Sequence, residues 1–495
     1  MSRAVVVCGG GGTAAEDELA ASLERVRDLL DRTPPGACVL VDFDDTLLLS
    51  NSTELRLDRA RPRVVAAVLN AVLLVGKPWR VFGGTRTDFA TQDAWRTAAI
   101  GALSPGLDRR WRADADSEVA ERLNRPLVEL LLSGERRLVV ATYAQRRTVA
   151  PLLAATPLRD AELIAGPDRG PGAWRAWRAR GKTAAVRDAI GDAALRQAVV
   201  VTDDDRDQPL IDAAAGGVVV RWPGTRSFRA FDGVYLPLIY LSRVKRQGQN
   251  ALVREVLLDD FALLLLALFA GGQASPRAVA GLALACLAFF CVYEIGYREN
   301  DRLDAAHSET PRLSDNFFRR PGLRRDPGVA PWLWATGLSA AAVALLQPDD
   351  PWAAAAGWAG VLVGVRIAFT VYNHLDETSR VYVFPLLQVA KTFGFLTLFT
   401  THLAGGVLFA AQVLRRWAHY ACYRAGGDGK HLPSHVSRLM IYVLLAAAAA
   451  VTCPDAALLQ TWPFWAGLAW LTLRAALQLT EFARNVRWRR TRPDR

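Results

Sequence analysis

The feature that most constrains this chain is a change of character after Arg254. Up to about Lys245 polar and apolar segments alternate as in a globular protein. Beyond it come runs such as "FALLLLALFAGG", "AVAGLALACLAFFCVY" and "LMIYVLLAAAAAV". Runs of that length and purity read as membrane-spanning helices. Their concentration in one half explains how 51% hydrophobic residues coexist with 22% charged ones. The expected spans are 255–272, 277–297, 330–347, 352–372, 381–400, 404–422, 435–452 and 459–481. Only "THLAGG" separates the fifth from the sixth, and the alternative there is one long helix. Eight spans keep "RRPGLRR", the basic stretch from Arg415 to Lys430 and the tail "RNVRWRRTRPDR" on the cytosolic side. Seven would put two of these regions outside, against the positive-inside bias. The expectation is therefore an integral, multi-pass membrane protein of about eight helices, with its first domain and its C-terminal tail cytosolic.

The formal charge of +11 then needs no nucleic acid. Arginines beside spans orient the protein and attract anionic headgroups, and no recognition motif accompanies them. The six cysteines show no CxxC spacing and read as reduced structural residues. "MSRAVVVCGGGG" has too short an apolar core for a secretory signal, and its glycines lack the Gly-Lys-Thr of a phosphate loop, so residues 1–35 read as an N-terminal segment, flexible at its start.

Within residues 36–245 the informative stretch is "VLVDFDDTLLL". An apolar run ends in Asp42, Asp44 and Asp45, three carboxylates whose repulsion and burial call for a positive partner. Asp42 and Asp44 are two apart and share a face in an ideal strand, where they suit Mg2+, a cation that takes oxygen ligands. Three elements follow: "RRLVVATYAQ", a strand ending at Thr142; "RGKTAAVRDAIG", a helix opening at Lys182; and "QAVVVTDDDRDQPLID", a strand ending in Asp203 to Asp205 and Asp207. Alternating strands and helices with polar residues at strand ends predict a parallel α/β sheet, its site at the carboxyl edge.

These four elements resemble the motif set of the haloacid dehalogenase (HAD) superfamily of phosphotransferases. The resemblance implies a Rossmann-like α/β domain with a helical cap at about 55–135, where "PRVVAAVLNAVLLVGKPW" supplies apolar helix. It implies Asp42 as the nucleophile that takes the phosphoryl group and Asp44 as the general acid/base. Thr142 and Lys182 would hold phosphoryl oxygens. Mg2+ would be bound by Asp42, Asp44 and Asp203, with Asp207 completing the site or orienting Lys182.

In the membrane half, "VYEIGYRENDRLDAAHSETPRL" places Asn300, Asp301 and Asp304 on one face if the helix continues. Glu294, Arg366, Lys391 and Arg474 fall in or near spans, where ionisable groups face a cavity or a partner. Arg366 and Lys391 are candidates for an anionic headgroup, and "YNHLDETSR" adds a polar cluster containing Asp376. "NDRLD" resembles the acidic motif of UbiA-type prenyltransferases, which implies a diphosphate bound through Mg2+. The expected function is a membrane-anchored, Mg2+-dependent phosphatase acting on a phosphorylated small-molecule or polyprenyl-linked substrate. It is accompanied by a possible prenyl or phosphoribosyl transfer site. The alternatives are a UbiA-like transferase with an accessory HAD domain, and a transporter or scaffold regulated by one.

Overall fold

A computed structural model describes residues 11–81, 89–168, 171–223, 225–308, 311, 313–427, 433–454 and 457–483. The glycine-rich start and the basic tail lie outside these residues. The chain divides into two compact units, Met1–Val234 with Arg319–Gly322, and Tyr235–Phe318 with Leu323–Arg495. The first unit is an α/β domain and the second is helical; the division falls at Val234, earlier than the change in composition at 245.

The first unit is built on five strands: β1 (Cys38–Val41), β2 (Arg137–Gln145), β3 (Glu162–Gly166), β4 (Val199–Thr202) and β5 (Gly216–Val219). All pair in parallel in the order β3-β2-β1-β4-β5, with Val41 opposite both Val140 and Val201. β1 is central and buried along its whole length, as an all-apolar "CVLV" must be when helices cover both faces. Successive side chains serve opposite cores. Val39 and Val41 pack with Val26, Leu30 and Leu127, while Cys38 and Leu40 pack with Val186, Leu195 and Leu210. Val26 and Leu30 belong to α1 (Gly11–Asp31), so part of the expected N-terminal segment is core of this domain. β2 continues past Thr142 to Gln145.

Between β1 and β2 the described residues form five α-helices: α2 (Ser52–Asp58), α3 (Arg63–Gly76), α4 (Phe89–Leu103), α5 (Leu107–Arg122) and α6 (Arg125–Leu132). After β2 come α7 (Arg146–Ala154), α8 (Pro171–Ile190), α9 (Asp192–Gln197) and α10 (Gln208–Ala213). α8 breaks at Gly181, whose φ of 79° is left-handed and suits glycine, so a new helical segment opens at Lys182. The chain runs from β1 outward to β2 and β3, then returns to β4 on the other side of β1. That reversal leaves a crevice at the carboxyl ends of β1 and β4.

In the second unit a π-helical stretch (Leu252–Phe261) runs into α11 (Ala262–Ala270), and α12 (Pro276–His307) follows. Then come α13 (Ala330–Leu346), α14 (Pro351–His374), α15 (Arg380–Ala390), α16 (Leu403–Arg424), α17 (Ser434–Thr452) and α18 (Trp462–Ala483). Among the described residues α12, α14 and α17 are long and apolar enough to cross a membrane, which points to membrane association. Val363 and Ile367 on α14 and Leu444 and Val451 on α17 are exposed, a surface suited to lipid. The second span continues into its polar end, as the clustering of Asn300 to Asp304 required. The fifth expected span is corrected: α15 has 11 residues, about 16 Å, and stops at Lys391 before a 3-10 turn at Phe393–Thr397. Nor does it fuse with α16, because His402 caps the start of α16 through its ring, accepting from Ala404 N.

Candidate functional site

The crevice gathers the expected residues of the first unit. Asp42 directly follows β1, and its N–H bonds to Val201 O at 2.9 Å, so the segment after β1 stays registered on β4. Asp203 directly follows β4. Lys182, from the segment opening after Gly181, donates from Nζ to Asp42 Oδ1 at 3.0 Å and to Asp207 Oδ2 at 2.6 Å. Thr202 Oγ1 donates to the same Asp207 oxygen at 2.8 Å. Asp207 and Lys182 are buried. Asp207 thus holds the Lys182 ammonium directly, a geometry in keeping with the second of the two roles expected of it.

The other carboxylates have different partners. Asp44 Oδ1 accepts from Ser52 N at the start of α2 at 2.6 Å. Asp203 Oδ1 accepts from Thr46 Oγ1 at 3.0 Å, and Asn124 Nδ2 bonds to Thr46 O at 3.0 Å. Asp45 adopts a left-handed backbone with φ of 56°. Thr142 is buried in β2, and its Oγ1 accepts from Ala144 N at 3.1 Å. It lies beside the Asp42 segment, with its hydroxyl turned to its own strand.

The electrostatics follow from crowding these acids. Burial pushes Asp42 up to about 7; Lys182 opposes the rise, and Asp207 and Asp203 add to it. Burial lifts Asp44 to about 8 against its bonds to Ser52, with Asp42 and Asp45 adding repulsion. Asp203 is raised to about 6 by burial and by Asp45. Burial disfavours the Lys182 ammonium, but Asp42 and Asp207 more than compensate and hold its pKa up. Both carboxyls therefore hold their protons more tightly than ordinary ones, with Asp44 the higher of the two and Lys182 restraining the rise at Asp42.

Among the described residues no three His, Cys, Asp or Glu side chains converge into a group that could hold a metal ion. In kind, the residues at the crevice suit a hard cation. Their donors are oxygens, and Asp42 and Asp203, raised first by burial and further by neighbouring carboxylates, bring together negative charge that a divalent ion would neutralise. Of the four expected ligands, Asp207 and Asp42 both accept from Lys182, Asp44 accepts from Ser52 N, and Asp203 accepts from Thr46 Oγ1.

In the second unit the expected residues divide among separate partners. Asp301 is buried, accepting from Lys245 Nζ at 2.5 Å and Tyr240 OH at 2.8 Å. Lys245 also donates to Asn300 Oδ1 at 2.9 Å, while Asn300 Nδ2 is buried without a partner. Asp304 lies 3.8 Å from Arg380 instead. Asp376 caps its own turn, accepting from Thr378 N and Ser379 N at 2.9 and 3.0 Å. Arg366 pairs with Glu299 at 2.9 Å, and Lys391 is buried on Asp260 at 2.6 Å. Asn300 and Asp301 are therefore the pair the fold unites, and Asp301 already has its cation. Glu294 accepts from Leu238 N and Leu241 N at 3.0 and 2.8 Å, a main-chain cap.

Lys245 and Asp260 are contacts that the sequence reading did not single out. One signal was available: the chain has five lysines among sixty basic residues, and three of them, Lys182, Lys245 and Lys391, sit on buried carboxylates. Comparison of the chain with protein-family models, with curated proteins and with solved structures found no match.

Proposed function

We propose that the first unit is a HAD-type, Mg2+-dependent phosphomonoesterase, anchored to a membrane by the helical unit and acting on a phosphorylated substrate at that membrane. The observation that carries this reading is the chain Asp42–Lys182–Asp207–Thr202 at the carboxyl ends of β1 and β4. It pairs a nucleophilic carboxylate with a fixed ammonium, and a second carboxyl, Asp44, stands two residues away.

An Asp42 oxygen bonds to phosphorus as the ester P–O bond breaks, and neutral Asp44 gives its proton to the leaving oxygen. Lys182, held by Asp207, lies against the phosphoryl oxygens and offsets the repulsion between a carboxylate and a phosphate dianion. Water then attacks phosphorus, Asp44 takes its proton, and the Asp42–phosphorus bond breaks to release orthophosphate. Asp203 and Asp42 would hold Mg2+, which supplies charge neutralisation on the phosphoryl group. Thr142, within reach of the same segment, would turn its hydroxyl to the bound phosphate.

The membrane topology we take is multi-pass, with the first unit cytosolic. The transferase reading of the second unit draws less support, since Asp301, Asp304, Asp376 and Lys391 answer to four different partners. Phosphate release by the full-length protein, lost in Asp42→Asn and retained in Asp301→Asn, would support the assignment; equal loss in both would move it to the helical unit.

A further inference from the structure

A second polar centre lies inside the helical unit, built from residues that the sequence reading assigned to no site, Lys391 excepted. Asp259, in the turn of helix before α11, is approached by three arginines from three other helices. Arg474 of α18 donates to its Oδ1 at 3.0 Å, Arg438 of α17 lies 3.5 Å from the same oxygen, and Arg415 of α16 lies 3.7 Å from Oδ2. Adjacent Asp260 is shared by Lys391 and Arg416, each at 2.6 Å. Five cations therefore stand on two carboxylates. Glu255, the next carboxylate along the helix, is paired with Arg246 at 3.3 Å.

The neutral acceptors nearby do not make up the difference. Gln412 Oε1 already accepts from both Arg415 and Arg438, at 3.2 and 3.0 Å. His435 faces Arg438 with Nδ1 at 3.0 Å and Arg474 with Nε2 at 3.2 Å. A neutral imidazole has one acceptor nitrogen, so one of these contacts sets an N–H against a guanidinium. The Nε atoms of Arg415, Arg438 and Arg474 are all buried without a partner, and Arg438 is completely enclosed. Surplus guanidinium charge of this kind, out of water and with unmet donors, is strongly unfavourable unless an anion joins it.

We propose that the Arg415–Arg438–Arg474 cluster is a binding site for a phosphomonoester dianion, taken from a lipid headgroup or from free phosphate. Guanidinium forks match phosphate oxygens in pairs, and a dianion restores balance where one carboxylate does not. Arg415 and Arg474 keep 10% and 14% of their side chains exposed, which gives the site an open edge. Exposed Leu414, Leu444 and Leu477 lie on the same three helices and offer an apolar surface for the tail of a lipid.

The test uses purified full-length protein in detergent with EDTA present. It is titrated with inorganic phosphate by calorimetry and, separately, reconstituted and flotation-tested with phosphatidylcholine vesicles with and without phosphatidic acid. Saturable binding of phosphate, or flotation strengthened by phosphatidic acid, is expected; which probe succeeds identifies the source. Arg415→Gln and Arg474→Gln should each weaken binding about tenfold or more, while Arg277→Gln, at an exposed arginine of the same unit bonded to Ala344 O, leaves it unchanged. Asp259→Asn, which removes the carboxylate that competes for the arginines, should strengthen binding, an effect that a purely structural cluster would not give. Absence of binding of both probes by the wild type overturns the proposal, as does weaker binding in Asp259→Asn or undiminished binding in Arg415→Gln and Arg474→Gln.

Discussion

At the scale of single residues, the central contact is Lys182 between Asp42 and Asp207. Replacing Lys182 by Met removes the ammonium shared by Asp42 and Asp207 and leaves buried Asp207 without its cation. Phosphate release should fall about 100- to 1,000-fold, and stability should drop by about 3–5 kcal/mol, read by single-turnover assay and by urea titration. Asp45 makes the opposite prediction. Its φ of 56° is a conformation glycine adopts freely, and its carboxylate raises both Asp44 and Asp203. Asp45→Gly should therefore stabilise the first unit by about 1 kcal/mol, seen as a higher urea midpoint; a lower midpoint would show that the carboxylate is needed for folding.

At the scale of elements, Glu54 of α2 ties down two others. It takes two bonds from Arg96 of α4 at 2.7 and 2.9 Å and one each from Arg229 and Ala230 N at 3.2 and 2.9 Å. Burial works against the charge, but Arg96 and Arg229 outweigh it and lower Glu54 from 4.5 to about 2. A folded pKa below the unfolded one means the stabilisation is complete above about pH 4.5 and is lost as pH falls toward 2. Glu54→Gln should lower the melting temperature at pH 7 and flatten the loss of stability on acidification between those limits, as thermal unfolding followed against pH would show. The break in α8 gives a second test. A methyl at Gly181 would meet no atom within 4 Å, so Gly181→Ala should cost only backbone strain, about 1–2 kcal/mol, and should reduce phosphate release by displacing Lys182.

These elements also show what a sequence can carry. β1, the Asp42 run and the helix opening at Lys182 were legible because their signals are local: an apolar stretch closed by acids, and a glycine followed by lysine. The partners of Lys391 and Arg474 were not. Asp259 and Asp260 meet arginines more than 150 positions away, and no spacing rule joins 259 to 415, 438 and 474. The stop in α15 was hidden for a related reason. Its composition is apolar enough for a span, and the residue that caps its end, Lys391, is paired with Asp260, a tertiary contact no local pattern shows.

At the scale of the whole molecule, a parallel α/β unit with clustered carboxylates at its strand ends is joined in one chain to helices that suit a bilayer. The protein should sediment with membranes, stay there through high salt and alkaline carbonate, and enter solution with detergent; release by salt alone would mean that α12, α14 and α17 do not anchor it. The most direct test of the account is Mg2+-dependent phosphate release by the purified full-length protein and its Asp42→Asn variant, across sugar phosphates and polyprenyl-linked phosphates. The account predicts release that requires Mg2+ and falls to background in the variant. Release that is undiminished in Asp42→Asn, or its absence from every substrate in the wild type, would contradict it.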